Sequence, residues 1–297
     1  QTIGPELKKR IQIIIDTGLI ELSDDFKIYW NNFPIAKLSS GHDYLNPNFE
    51  LIVDDIIEPI QKQKLSEYIS KWIQDKINLV LKSLVDLKNL KDKNSSIKAL
   101  AYQLYENNGV LKREQVSEYL KSLGQDERKI LRDLGVKFGR YHVFLYQLIK
   151  PEAVSLRALL WKNFHQNYYN IKLPTFGLNF LDDKEHKNKN FMLLCGFEKF
   201  DTFFVRIDIL ERLFVLIINS PNSKENKEVK IIPEMLNLLG CSKDNFKKLL
   251  QKMNYKIFEK DDDTYFKYNP IKQYKKNSIK KVSSENPFKI LKNLNLN

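Results

Sequence analysis

The period of the apolar positions changes several times along the chain, and each change predicts a new element. Residues 5–16 read as a short helix, with Pro5 in its first turn and Leu7, Ile11 and Ile14 at helical spacing. Phe26, Ile28 and Trp30 then alternate with polar residues, and Asn31-Asn32 offers a tight turn that tolerates positive φ. Phe33 to Leu38 returns as a second strand with Pro34 marking an edge, and Phe49 to Val53 adds a third, completing a small β-meander. From 60 to 92 the spacing becomes three and four. Leu65, Ile69, Trp72, Ile73, Ile77, Val80, Leu84 and Leu87 form the stripe of a long amphipathic helix with room for a break. Lys91 to Ser96 is polar and reads as a loop, and residues 97–107 and 112–134 carry two or three more helices punctuated by Gly109 and Gly124.

Residues 135–165 hold two glycines, an aromatic-rich apolar run, Lys150-Pro151 and a helix from about Glu152. Residues 166–190 are polar and read as loop, ending in a Lys/Asn-rich patch from Lys184 to Asn190. The order of elements in 191–269 is that of a winged helix. It begins with a strand at Phe191 to Phe197 and a helix at Ile207 to Ile218 with Leu210, Leu213, Phe214 and Ile217 inward. A short helix from Pro233 ends at Gly240, and Ser242 caps a third helix. Tyr255 to Phe258 and Tyr265 to Tyr268, joined by Asp261-Asp262-Asp263, make the wing. Residues 270–285 read as a basic linker. A terminal helix starts at Asn286-Pro287 and carries Phe288 and Leu291 on one face.

The expected fold is therefore mainly α with small β elements (α+β): an N-terminal β-meander, a helical middle and a C-terminal winged-helix-like domain. The expected boundaries are 1–58, 59–165, a loop over 166–190, 191–269 and a tail over 270–297. The longest strongly apolar run, Leu213 to Ile218, is far short of the roughly 20 residues of a membrane helix, so no membrane partner is expected. Two isolated cysteines, Cys195 and Cys241, make neither a disulfide framework nor a zinc spacing, which fits a cytoplasmic location. Because the first residue is Gln1, the chain is expected to be processed or a piece of something longer.

Charge changes the picture. The net charge is +12, but residues 1–60 carry −5 and residues 61–297 carry +17. A basic body suits a polyanionic partner, since Lys and Arg neutralise phosphates and release counterions; a lysine-rich solvated surface is the simpler alternative. Catalytic chemistry finds no such support. Gly135 and Gly139 have one residue too few between them for a phosphate-cradling loop, and Arg140-Tyr141 follows where Lys and a hydroxyl are needed. His42, His142, His165 and His186 have no second ligand at metal spacing, and His142 reads as a hydrogen-bonded structural residue. Asp54-Asp55 and Asp261 to Asp263 lack a calcium-loop spacing and read as a helix start and a turn. The cysteines read as small core residues. No catalytic, metal or cofactor site is expected within the chain.

Binding chemistry remains. On the third helix of the winged segment Phe246, Leu249, Leu250 and Met253 define one face, and Lys247, Lys248 and Gln251 lie opposite; Lys252 joins the basic candidates. That face either tracks a phosphate backbone or is simply solvated. In 135–165, Lys137, Arg140, Lys150, Arg157 and Lys162 interleave with Phe138, Tyr141, Phe144, Tyr146 and Trp161. Cations with aromatics bind phosphates and stack on bases, although most of these aromatics are expected in the core.

LRDLGVKFGRYHVFLYQLIKPEAVSLRALLW (Leu131 to Trp161) resembles the signature block in the C-terminal half of a bacterial family of superfamily 2 helicases related to the mitochondrial RNA-degradosome helicase. The blocks Phe26 to Asp55, Val205 to Leu213, Pro233 to Lys256 and the terminal NPFKIL (Asn286 to Leu291) are similar to the same family, in family order. The resemblance implies ATP-dependent unwinding of RNA or DNA for a parent protein whose two RecA-like motor domains lie upstream of the region matched. ATP and magnesium are implied only for those domains, and no catalytic residue carries over to this chain. The expected function is an accessory region that binds single-stranded RNA or DNA and guides it for the motor. The alternative is a module that docks the helicase to a nuclease or another protein partner, with Phe288 and Leu291 as its docking element.

Overall fold

The computed structural model describes residues 3–52, 58–90, 95–182, 188–220 and 228–269. The chain divides into two compact units, Gln1–Ser220 with Ile232–Ser242, and Pro221–Ile231 with Lys243–Asn297. The architecture is mixed α+β, with a β-rich N-terminal region, a helical middle and C-terminal strands.

The first unit opens with α1 (Ile3–Thr17) and an antiparallel meander of β1 (Ile20–Leu22), β2 (Lys27–Trp30), β3 (Phe33–Asp43) and β4 (Asn46–Leu51), in that strand order. Asn31 and Asn32 turn the β2–β3 hairpin at φ 44° and 67°, the two successive left-handed residues that a two-residue hairpin turn requires. β3 is longer than the alternation predicts, running past Leu38 through an irregularity between Ser39 and Asp43, and β1 is additional to the prediction. Of the predicted third strand, Val53 lies outside the described residues, as does Asp54-Asp55.

The long helix is broken as its pattern allows. α2 (Pro59–Val80) buries Leu65, Ile69, Ile73 and Ile77; the backbone steps out of the helical region at Leu81; and α3 (Lys82–Lys88) buries Leu84 and Leu87. α4 (Ser95–Glu106), β5 (Val110–Lys112), α5 (Ser117–Ser122) and α6 (Gln125–Asp133) follow, then β6 (Val136–Phe138) and β7 (His142–Leu145). The three short strands form one sheet in the order β5-β7-β6. A 3-10 turn at Tyr146–Ile149 leads through extended Lys150 into α7 (Pro151–Phe164).

α7 is apolar on nearly every side, which is the pattern of a helix buried all round. Leu156, Leu159 and Leu160 join the larger hydrophobic cluster of the unit, while Val154, Ala158 and Trp161 join a second cluster built with Phe191, Met192 and Phe204. Asn163 Nδ2 donates to the Ser39 carbonyl at 2.9 Å, tying the end of α7 to the meander. The distinctive 135–165 segment is thus the central strut of the first unit.

Two expectations are corrected downstream. The segment 166–190 is not wholly loop, since β8 (Phe180–Asp182) pairs with β10 (Phe203–Arg206), which pairs in turn with β9 (Phe197–Phe200). The strand predicted over Phe191 to Phe197 is mostly helix α8 (Lys189–Leu194). Its cause is local: the Asn188 side chain caps the helix by accepting from the Phe191 N–H, and a short continuous apolar run carries no period that tells strand from helix.

α9 (Ile207–Ile218), α10 (Pro233–Leu239), α11 (Lys243–Lys252), β12 (Tyr255–Lys260) and β13 (Asp263–Tyr268) come in the predicted order, β11 (Glu228–Lys230) is additional to the prediction, and β13 is central in the sheet β11-β13-β12. The division between units runs inside this segment, with α9 and α10 in the first unit and β11, α11, β12 and β13 in the second. Gly240 ends α10 in the left-handed conformation at φ 66°, as its position predicts. Asp261 and Asp262 turn the wing hairpin at φ 50° and 63°. In the second unit Phe246, Leu249 and Leu250 of α11 are fully buried together with Phe266 of β13, and Phe266 meets Phe246 and Tyr255 edge-on. Among the described residues no helix is long and apolar enough to cross a membrane.

Candidate nucleic-acid interface

The basic candidates of the 135–165 segment separate into exposed and committed side chains. Arg157 is a correction. It is 0 % exposed, so it contacts no ligand. Its guanidinium donates to the main-chain carbonyls of Asn108 at 2.6 Å, Leu148 at 3.0 Å and Leu194, clamping the ends of three elements around α7. Burial lowers its pKa to about 10, with Tyr44 and Cys195 acting the other way, so it remains a cation at neutral pH. Gly109 makes room for this clamp: at φ 80° it is in the region that favours glycine, and a side chain there would run into Leu148 and approach the guanidinium.

Lys162 is half-buried. Its ammonium lies 3.4 Å from the Ile171 carbonyl and 5.7 Å from the centre of the Phe26 ring. Arg140 is exposed with its guanidinium 5.7 Å over Phe214. In the second unit Lys247 is held by Glu259 of the wing at 2.9 Å, while Lys248 and Lys252 are exposed on the side of α11 away from its core. Phe288 and Leu291, with the predicted linker, lie outside the described residues, as does most of the Lys/Asn-rich patch.

Lys137 lies beside Tyr146, and Lys150 lines the same cleft as Tyr146. β6 carries Lys137 so that its ammonium sits 5.6 Å from the centre of the Tyr146 ring, and the 3-10 turn that holds Tyr146 delivers Lys150 four residues later, at the start of α7. Tyr146 is 46 % exposed although its neighbours Leu145 and Leu148 are fully buried. Tyr146, Lys150 and Pro151 line an open cleft of about 160 Å³ together with Phe176 and Leu178, both nearly half exposed. Along the 3-10 turn Tyr146 and Gln147 are exposed, while Leu148 and Ile149 are buried. The cleft therefore offers an accessible aromatic ring, with the exposed Lys150 in its lining and the exposed Lys137 near the Tyr146 ring. Phe176 and Leu178 were not legible as site residues, because they lie in a polar stretch without a period.

The fold also assembles a polar cluster that the sequence did not reveal. His142 on β7 is buried between two carboxylates, with Nε2 3.2 Å from Glu198 of β9 and Nδ1 3.7 Å from Glu211 of α9. Lys112 of β5 completes it, its ammonium 2.5 Å from Glu198. Three successive main-chain N–H groups, of Arg140, Tyr141 and His142, donate to the Glu211 carboxylate at 2.5, 2.8 and 2.9 Å. Gly139 allows this wrap, because a Cβ at that position would fall on the carboxylate itself. Burial alone would lower the His142 pKa, but the bonds and charges of Glu198 and Glu211 outweigh it and raise it. Burial would raise both carboxyls. Instead, His142 and Lys112 hold Glu198 below the usual range, and His142 with the three amides does the same for Glu211. His142 is the hydrogen-bonded structural residue that its setting predicts.

Among the described residues no group of three or more His, Cys, Asp or Glu is arranged to hold a metal ion. Burial pushes the Cys195 thiol up to about 12 and the Cys241 thiol up to about 11, which keeps both as thiols rather than reactive thiolates. Comparisons with protein-family models, with curated proteins and with solved structures find no match to this chain.

Proposed function

We propose that this chain is an accessory nucleic-acid-binding region that guides single strands for an ATP-dependent helicase motor supplied by other domains. The observation that carries the reading is the exposed Tyr146 ring, with the Lys137 ammonium 5.6 Å from its centre and Lys150 in the lining of the same cleft as Tyr146. An aromatic face stacks on any base and an ammonium neutralises any phosphate, so this combination holds a strand with little regard to sequence. The basic balance of residues 61–297 and the similarity of the sequence blocks to degradosome-type helicases support the same reading. Guiding needs no catalytic group, and Arg157 holds the main chain at Leu148 and Leu194, next to the cleft residues Ile149 and Cys195.

Fluorescence anisotropy with a labelled single strand tests this. Lys137→Glu combined with Lys150→Glu is expected to weaken binding at least about tenfold and to flatten the dependence of log K on log salt by about 1.4, since each phosphate contact to a single strand contributes about 0.7. Tyr146→Ala is expected to cost about 1–3 kcal/mol of binding. All three side chains are exposed, so thermal unfolding should not change; wild-type affinity in these variants would remove the cleft from the strand path.

A further inference from the structure

The second unit carries another surface of the same chemical kind, on the sheet rather than on the helix. Along β12 and β13 the side chains alternate between two faces. Tyr255, Thr264 and Phe266 point to one face, where they are buried with α11. Lys256, Phe258 and Lys260 of β12 and Tyr265 and Lys267 of β13 point to the other. Phe258 and Tyr265 are directly opposed in the ladder, and their rings lie nearly parallel, 16° apart with centroids 6.1 Å from each other. Lys256 and Lys267 are directly opposed in the row beside them, and both are exposed. On β11, Glu228 faces Lys267 and Lys230 faces Tyr265, and Lys230 is bonded to Asp263.

This arrangement costs stability. Like charges directly opposite each other in a ladder repel, and Glu228 compensates Lys267 from one side only, leaving Lys256 without a cross-strand acid. Two half-buried aromatic rings beside that cation are not required to close the core, which Phe246, Leu249, Leu250 and Phe266 already fill on the other face. Parallel aromatic rings on an open sheet face, bordered by exposed cations, are the elements that hold splayed bases and their phosphates.

We propose that the outer face of the β11-β13-β12 sheet is a binding platform for single-stranded nucleic acid, with bases stacking on Phe258 and Tyr265 and Lys256 and Lys267 on the phosphates. The proposal shares its ligand class with the function proposed above but uses a different surface, so the two can fail separately. It also moves the contact in this unit from the Lys247 side of α11, where Glu259 already occupies the cation, to the sheet.

The experiment is an anisotropy titration of the full chain with fluorescein-labelled oligo-U and oligo-dT across a range of salt. Lys256→Glu is the diagnostic variant, because the new carboxylate would face Lys267 and replace repulsion with attraction. Its thermal midpoint should be equal or higher, while its affinity should fall about threefold or more and its salt slope by about 0.7. Phe258→Leu with Tyr265→Leu keeps apolar bulk, removes both ring faces, and should weaken binding about tenfold. Wild-type affinity in Lys256→Glu and in the double leucine variant, with Lys137→Glu still weakening binding, would overturn the platform and leave the cleft as the strand path. Absence of binding by the wild-type chain at low salt would overturn both.

Discussion

Arg157→Met is expected to destabilise the folded chain by about 4 kcal/mol or more and to lower its thermal midpoint by about 10 °C. Methionine matches the aliphatic stem of arginine but supplies no donor. The carbonyls of Asn108, Leu148 and Leu194 would then lose their guanidinium partner inside the protein, at about 1–3 kcal/mol for each unsatisfied group. Relief of guanidinium desolvation offsets part of this loss. A buried pair of side chains can often be replaced by apolar residues without cost, but that remedy is closed here because all three acceptors are main chain. Arg157→Lys should recover only part of the loss: it restores the charge, but a single ammonium lacks the planar fork that reaches three separated acceptors. Urea unfolding followed by circular dichroism measures all three forms. A difference below about 1 kcal/mol for the methionine variant would mean that the clamp does not hold the fold.

The burial of Arg157 was legible in the sequence and was masked by a broader pattern. Read within 135–165, it is one of five cations interleaved with aromatics, which suggests a binding surface. Read on its own helix, its neighbours at three and four positions are Ala153, Val154, Leu160 and Trp161, all apolar, which places it in the interior. The helical period outranks the composition of the segment. Lys137, Arg140 and Lys150 lie off the helix, in a strand, a loop and its N-cap, where period gives no such information; their exposure needed the fold.

The meander, the broken helix α2–α3 and the wing hairpin were legible because each has a clean period and turn residues that accept positive φ: Asn31-Asn32 for the first and Asp261-Asp262 for the last. α8 was not, since Phe191 to Leu194 is uniformly apolar and only the cap at Asn188 distinguishes helix from strand. The sheet platform lay between these cases. The alternation of β12 and β13 is visible, but which side chains oppose one another depends on the register, and a turn of two residues rather than three decides whether Phe258 meets Tyr265. The cluster around His142 was beyond reach. Glu198 and Glu211 follow it by 56 and 69 residues, and a single sequence carries no trace of pairings at that distance.

That cluster yields the other large effect. Glu211→Ala would leave the N–H groups of Arg140, Tyr141 and His142 without their acceptor and His142 without one of its two counter-charges; the expected loss is about 3–5 kcal/mol. Its pH signature separates the charge cluster from packing. His142 has a raised pKa in the folded chain, so its contribution is fully present below the ordinary 6.5 and is lost as pH rises through the folded value. Glu198 and Glu211 have lowered values, so theirs are fully present above the ordinary 4.5 and are lost as pH falls through the folded values. The groups facing His142 are these two carboxylates, with Lys112 beyond Glu198. The three contributions overlap between about pH 4.5 and 6.5, and the cluster stabilises the fold most in that window. Urea unfolding between pH 4 and 9 should therefore show wild-type stability falling on the alkaline side as His142 deprotonates. His142→Gln should remove that alkaline slope. A wild-type profile equally flat between pH 5 and 8 would mean that His142 is neutral in the folded chain, and the two carboxylates would then act through the main-chain amides and Lys112 alone.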